Sequence, residues 1–168
     1  ENGKAIFFNV TDETQRESEI KQADIVISML PASLHITVAK DCVRLGKNLV
    51  TASYVSPEIS ELDEAAKSAG VLLLNEIGLD PGIDHMSAMQ IIDDIKLNGG
   101  ELTSFKSFCG GLVHPDYDNN PWNYKFTWNP RNVVLAGQGT AQYIENGDYK
   151  YIPYTSLFER TEKMEVLD

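Results

Sequence analysis

Ile25-Val26-Ile27-Ser28-Met29-Leu30, closed by Pro31-Ala32-Ser33 and followed by Leu34, Val38, Cys42 and Leu45 on one helical face, reads as strand, turn and helix. The apolar run is nearly continuous rather than alternating, which suits a strand buried on both faces of a parallel sheet. The unit recurs downstream. Leu49-Val50-Thr51 leads through Ala52-Ser53-Tyr54 into a stretch where Ile59, Leu62, Ala66 and Ala69 share a face, opened by Ser56 as N-cap and Pro57 at the first helical position. Val71-Leu72-Leu73-Leu74 supplies another strand and Ala5-Ile6-Phe7-Phe8 an earlier one, while Gly46 and Gly70 stand where helix C-caps belong. Strand–helix units of this length imply right-handed crossovers, hence an α/β fold with a doubly wound, Rossmann-like parallel sheet.

Beyond residue 80 the pattern changes. Ile83, Met86, Ile91 and Ile95 fall within a helix running from Pro81-Gly82 to Gly99-Gly100, and an extended stretch, Leu102 to Cys109, leads into Gly110-Gly111. Residues 112–131, rich in Pro, Asn, Tyr and Trp, read as a long ordered loop ending at Asn129-Pro130, an N-cap and first position for a short helix through Val133, Val134 and Leu135. Tyr143 to Ile152 is a hairpin with Asn146-Gly147 at its turn. A domain boundary is placed near residue 82, with part of an α+β domain after it.

Composition narrows the function. Across 168 residues, 14 Lys and Arg face 25 Asp and Glu, a net charge of -11 that excludes a general phosphate-backbone binder and argues against an anionic membrane surface. A 42% hydrophobic fraction is ordinary for a globular domain, and no apolar run approaches the roughly 20 residues of a spanning helix. The N-terminus lacks the features of a signal peptide, and two cysteines are too few for a disulfide framework or a structural zinc site. A cytoplasmic protein with reduced thiols is the expectation, with no metal, nucleic-acid or membrane partner.

A doubly wound sheet binds ligands beyond the C-terminal ends of its strands. The segments there are Leu30-Pro31-Ala32-Ser33, Ala52-Ser53-Tyr54 and Asn75-Glu76-Ile77-Gly78-Leu79-Asp80-Pro81-Gly82, all converging on one sheet edge. For one such loop, turn chemistry alone explains Pro31 or Gly78; three together favour a site. No G-x-G-x-x-G follows a strand, and Gly137-Gln138-Gly139 fails the required context. Either the chain does not bind a dinucleotide or it begins inside a domain that does.

Ala23 to Pro31 with Leu34-His35, then Val50 to Pro57, and above all Asn75-Glu76-Ile77-Gly78-Leu79-Asp80-Pro81-Gly82-Ile83-Asp84-His85, resemble the saccharopine dehydrogenases of the glutamate-forming branch. Ser107 to Leu112, Asn120-Pro121 and Tyr124 to Arg131 extend the resemblance, which covers about residues 5 to 145. Family members are more than twice this long and begin with a Gly-rich βαβ unit. The resemblance therefore implies an internal fragment: residues 1–82 from the NAD(P)-binding domain without its first βαβ unit, and 83–168 from the substrate and dimerisation domain. By itself the chain is expected to be inactive.

The same resemblance implies the chemistry. Family members join the amine of glutamate to the aldehyde of 2-aminoadipate 6-semialdehyde and reduce the imine with NADPH or NADH, reversibly, in lysine metabolism. Leu30, Ala52, Ser53, Leu79, Asp80 and Pro81 are implied to contact the cofactor (NADP or NAD), with Asn129 approaching from the second domain. Ser53, Tyr54 and Asp80 would face the amino-acid substrate. Asp80 is the first candidate for acid/base catalysis and Cys109 the second. A carboxylate shielded from water after the last parallel strand would suit that role, whereas capping of the following helix is the plain structural alternative. His35 either caps its helix or faces the cofactor, with a structural role favoured; His85 would order the Asp80 loop; Cys42 belongs to the core. Lys125 and Arg131 would serve substrate carboxylates or internal ion pairs.

Two other functions compete: a carboxynorspermidine-type imine reductase acting on polyamine precursors, and a binding module without catalysis. A homodimer is the expected assembly. With the first two strands absent, the strand at Ile25 to Leu30 is expected to be covered on its open side, either by the Ala5 strand or by a second chain.

Overall fold

The computed structural model describes residues 3–127 and 129–163. It divides into two compact units, Glu1–Cys109 and Gly110–Asp168.

In the first unit, α1 (Glu13–Gln22), β1 (Ile25–Ser28), α2 (Ala32–Leu45), β2 (Asn48–Thr51), α3 (Pro57–Ser60), α4 (Asp63–Ala69), β3 (Leu73–Leu74) and α5 (Ile83–Leu97) follow in order. The strands form one sheet in the order β1-β2-β3, parallel throughout, with Ile25 opposite Asn48 and Leu49 opposite Leu73. The expected local signals act as read. Ser56 accepts from the backbone N–H of Ile59 and Pro57 opens α3, while Gly46 and Gly70 end α2 and α4 in the left-handed conformation. The third helix is divided, however, into α3 and α4 by a turn at Glu61-Leu62.

The core lies between α1, α2 and the sheet. Ile20, Val38, Ala39, Cys42, Leu49 and Ile59 form it, with Val26, Leu30 and Leu45 packed around them. Cys42 is fully buried, as its place on the apolar face of α2 predicts. A second layer of this packing is ionic: the buried Arg16 on α1 pairs with the buried Asp41 on α2, which also accepts from Arg44 Nη2 at 2.9 Å. Arg16 additionally donates to the carbonyl of Val10 at 2.6 Å.

The expected Ala5 strand is not found. Ala5 to Phe8 forms no strand, and β1 has a single neighbour, β2, with Ile25 and Ile27 exposed. The segment is held by α1 side chains instead. Gln15 donates to the Phe7 carbonyl at 2.7 Å and accepts from the Asn9 N–H at 2.8 Å, so these backbone groups are satisfied without a sheet partner.

In the second unit, α6 (Pro130–Ala136) is capped by Asn129, which accepts from the N–H groups of Arg131 and Asn132. β4 (Ala141–Glu145) and β5 (Asp148–Ile152) form the antiparallel hairpin, turning at Asn146-Gly147 where both residues have positive φ. Residues 101–110 carry no strand, and a short 3-10 turn, Pro115–Tyr117, lies within the 112–131 stretch. Among the described residues, none in this unit is buried. No helix among the described residues is long and apolar enough to cross a membrane.

Candidate functional site

Because the three strands are parallel, the segments leaving β1, β2 and β3 emerge at the same edge. The second and third are stitched together. The N–H groups of Glu76 and Ile77 donate to the carbonyls of Ser53 (3.0 Å) and Thr51 (3.3 Å), and the Glu76 carboxylate accepts from the Val55 N–H at 3.1 Å.

The loop after β3 is a closed ring of backbone. Gly78 donates to the Pro81 carbonyl at 2.8 Å, and Ile83 donates to the Gly78 carbonyl at 2.9 Å. Gly82 has φ +148, and a Cβ there would lie 2.2 Å from the Gly78 oxygen, so glycine is required for this approach. Pro81 and Gly82 are buried, whereas Leu79 and Asp80 at the tip are exposed. The Asp80-Pro81 peptide is cis. The Asp84 carboxylate braces the loop by accepting from the Gly82 N–H at 2.9 Å, and His85 Nδ1 lies 2.8 Å from the same oxygen. The expected ordering of the loop thus passes through Asp84, with His85 attached behind it. The Asp84 carboxylate and its hydrogen bond raise the His85 imidazole above its ordinary value.

Asp80 is the meeting point of three candidate residues. Tyr54 Oη donates to Asp80 Oδ1 at 3.1 Å, and the Asp80 carboxylate also acts on the Cys109 thiol. Desolvation, then the carboxylates of Asp80 and Asp84, push the Cys109 thiol up, so it stands as a neutral donor rather than a nucleophilic thiolate. Desolvation and Asp80 likewise raise the Tyr54 phenol. Shielding of Asp80 from water is not found: its carboxylate is exposed, because the Gly78–Gly82 ring projects it outward. Helix capping does not explain Asp80 either, since α5 has Gly82 at its N-cap and no side-chain cap.

The remaining candidates separate into groups. Ala52 and Ser53 sit half-buried beside the ring, with Ala52 Cβ 3.1 Å from where a Cβ on Gly78 would lie. Leu30 turns its side chain into the core, leaving its backbone at the edge. Asn129 lies in the second unit, its side-chain oxygen engaged in capping α6. Among the described residues there is no group of three or more His, Cys, Asp and Glu placed to hold a metal ion.

His35 is the residue that reading the sequence undervalued. It does not cap α2, whose N-cap is Pro31. It is buried, with Nδ1 2.8 Å from Ser28 Oγ, Nε2 2.8 Å from Ser53 Oγ and Thr51 Oγ1 at 3.3 Å. Burial lowers the imidazole below its ordinary value. The available signal was a histidine one turn into a helix, opposite hydroxyl residues ending two adjacent strands.

Comparison with known proteins identifies the lineage. Residues 1–74 match the saccharopine dehydrogenase NADP binding domain and residues 78–168 the saccharopine dehydrogenase C-terminal domain. The chain belongs to the saccharopine dehydrogenase family. It is 47% identical over 163 residues to alpha-aminoadipic semialdehyde synthase of Arabidopsis thaliana, covering 97% of this chain and 15% of that protein. It is 44% identical over 158 residues to saccharopine dehydrogenase [NADP(+), L-glutamate-forming] of Schizosaccharomyces pombe, covering 94% of this chain and 35% of that one. The solved structure of apo saccharopine dehydrogenase (L-Glu forming) from Saccharomyces cerevisiae superposes with a TM-score of 0.86 at 39% identity, over 98% of this chain and 37% of that chain. The chain therefore spans between 15% and 37% of the length of these relatives.

Proposed function

We propose that this chain forms the nicotinamide end and part of the substrate side of an NADP-dependent, L-glutamate-forming saccharopine dehydrogenase. The observation that carries this reading is the Tyr54–Asp80 hydrogen bond at the edge where the loops of three parallel strands emerge. The residues fit such a cofactor. Ala52 and Ser53 put only small side chains at this edge, and the backbone of Leu30 and of Leu79-Asp80-Pro81 offers polar contacts around it. The dinucleotide, when bound, supplies or accepts the hydride. The family model's NADP description favours NADP over NAD.

The protein's own residues handle protons and position. Asp80, exposed at the loop tip, gives and takes the proton at the amine nitrogen as the imine forms and breaks. Tyr54 fixes the Asp80 carboxylate, and Cys109 is a second donor to it. Ser53 and Tyr54 face the amino-acid substrate, and Asn129 is read as a further cofactor contact. The domain division falls near residue 82, with part of the NADP-binding domain before it and part of the substrate domain after it. Two unpaired cysteines suit a reducing compartment, which we read as the cytoplasm, and a homodimer as the assembly.

The test is turnover by a full-length polypeptide carrying these residues. Saccharopine-dependent reduction of NADP+ is expected, releasing glutamate. Turnover of a carboxylated polyamine precursor without turnover of saccharopine would overturn the substrate reading.

A further inference from the structure

His35 lies outside the Tyr54–Asp80 contact, yet it is the most enclosed titratable group at the same sheet edge. Its ring sits beneath the ends of two adjacent strands, bonded to Ser28 at the end of β1 and to Thr51 and Ser53 at and beyond the end of β2. Ser28, His35 and Thr51 are all buried, whereas Ser53 is half-buried, with its hydroxyl on the ring and its carbonyl accepting from Glu76 of the third loop at 3.0 Å. Thr51 Oγ1 also accepts from the Ser53 N–H at 3.3 Å, so residue 53 is gripped through both backbone and side chain.

We propose that His35 is a positioning residue: its uncharged imidazole fixes the Ser53 hydroxyl, and through it the ligand-facing segment Ala52-Ser53-Tyr54. A neutral imidazole has one N–H donor and one bare acceptor nitrogen, so each tautomer dictates which hydroxyl gives its proton and which receives one. All its hydrogen-bonding partners are hydroxyls, which can meet either demand. Such a network, fully satisfied and away from water, holds one arrangement more firmly than an exposed serine could hold itself. Freezing a ligand-contacting hydroxyl before the ligand arrives lowers the ordering cost of binding. The ligand part of this inference rests on the cofactor reading above; the hydroxyl lock does not.

The two parts are tested separately. In the 168-residue chain or the full-length polypeptide, nitrogen NMR of labelled histidine is expected to show His35 neutral at pH 7. Ser28→Ala and Ser53→Ala should each shift the ring nitrogen signals, Ser28→Ala acting first at Nδ1 and Ser53→Ala first at Nε2. A His35 that titrates like a free imidazole, or that ignores Ser53→Ala, overturns the lock whatever the protein binds. In the full-length polypeptide, NADPH affinity supplies the second readout. Ser53→Ala and His35→Asn should each weaken binding by roughly five- to tenfold, the effect of losing one positioned hydrogen bond. The double variant should be no weaker than either alone. His35→Gln, whose amide reaches the Nε2 position facing Ser53, should recover most of the affinity, whereas His35→Asn, reaching only toward Ser28, should not. Additive losses, or equal behaviour of the Gln and Asn variants at unchanged thermal stability, would reduce His35 to packing. If the unaltered polypeptide fails to bind NADPH, the cofactor reading falls and the NMR result alone decides the lock.

Discussion

The polar groups of α2 and those of the loop after β3 meet water in opposite ways. His35 and Asp41 are buried, each with its hydrogen-bonding capacity taken up by partners that the fold brings from α1, α2, β1 and β2. Asp80 and Glu76 are exposed on a loop whose backbone, not whose side chains, is enclosed. The first region places polar groups where misplacing them is costly, and so it holds geometry. The second leaves its carboxylates open to solvent, as the proposed proton-transfer role of Asp80 requires. A site that needs both precision and access is built by joining the two at Ser53, which His35 holds from one side and Glu76 from the other.

Removing an ionic partner from the buried region should have the largest effect. Asp41→Asn leaves the Arg16 guanidinium buried without its counter-charge, and a loss of about 3–5 kcal/mol in chemical denaturation is expected. The pH dependence has a definite sign. Burial alone pushes the Asp41 carboxyl up, but hydrogen bonds from Arg44 and Arg16, with their charges, outweigh it and hold it below its ordinary value of 3.8. The stabilisation is therefore fully present above about pH 4 and disappears as pH falls through the lower folded value. A Tm that does not respond to Asp41→Asn would show the pair to be idle.

Next comes the frame of the exposed loop. Gly82→Ala sets a Cβ against the Gly78 oxygen at a φ that side chains rarely adopt, so the ring must open or distort. A cost of about 1–3 kcal/mol is expected, together with a drop in kcat larger than the drop in stability explains. Unchanged kinetics would mean that Asp80 does not depend on the ring.

The His35 effect is smaller and opposite in origin to that of Asp41, because here burial is the whole cause. With the folded imidazole lowered below 6.5, the unfolded chain takes up a proton first as pH falls. Stability should decline as pH drops through 6.5 and level off below the folded value, and His35→Gln should flatten that slope. Cys109→Ser should matter least, at under about tenfold in kcat, since a hydroxyl can still donate to Asp80.

Much of the fold was legible because its signals are local. Ser56-Pro57, Gly46, Gly70 and the Asn146-Gly147 turn each specify a backbone conformation within a few residues, and the apolar run at Ile25 needs no partner to declare itself a strand. Ala5 to Phe8 carries the same apolar signal, but Gln15 supplies the hydrogen bonds that would otherwise have required a neighbouring strand. His35 was illegible for the same kind of reason: its role depends on hydroxyls 7, 16 and 18 positions away in the chain. Asp80 became a candidate through its place after a strand together with the family resemblance, while its exposure follows from the Gly78–Gly82 closure, a contact that no spacing rule contains.

Steady-state kinetics of Asp80→Asn in the full-length polypeptide, paired with direct titration of NADPH, bears most closely on the catalytic assignment. Asp80 is exposed, so the fold should survive the change. The expected result is a kcat lower by about 10²–10⁴-fold with NADPH affinity unchanged, the signature of losing a group that moves a proton. A variant that keeps its kcat and changes only KM would contradict the assignment, leaving Asp80 as a substrate contact with no part in proton transfer.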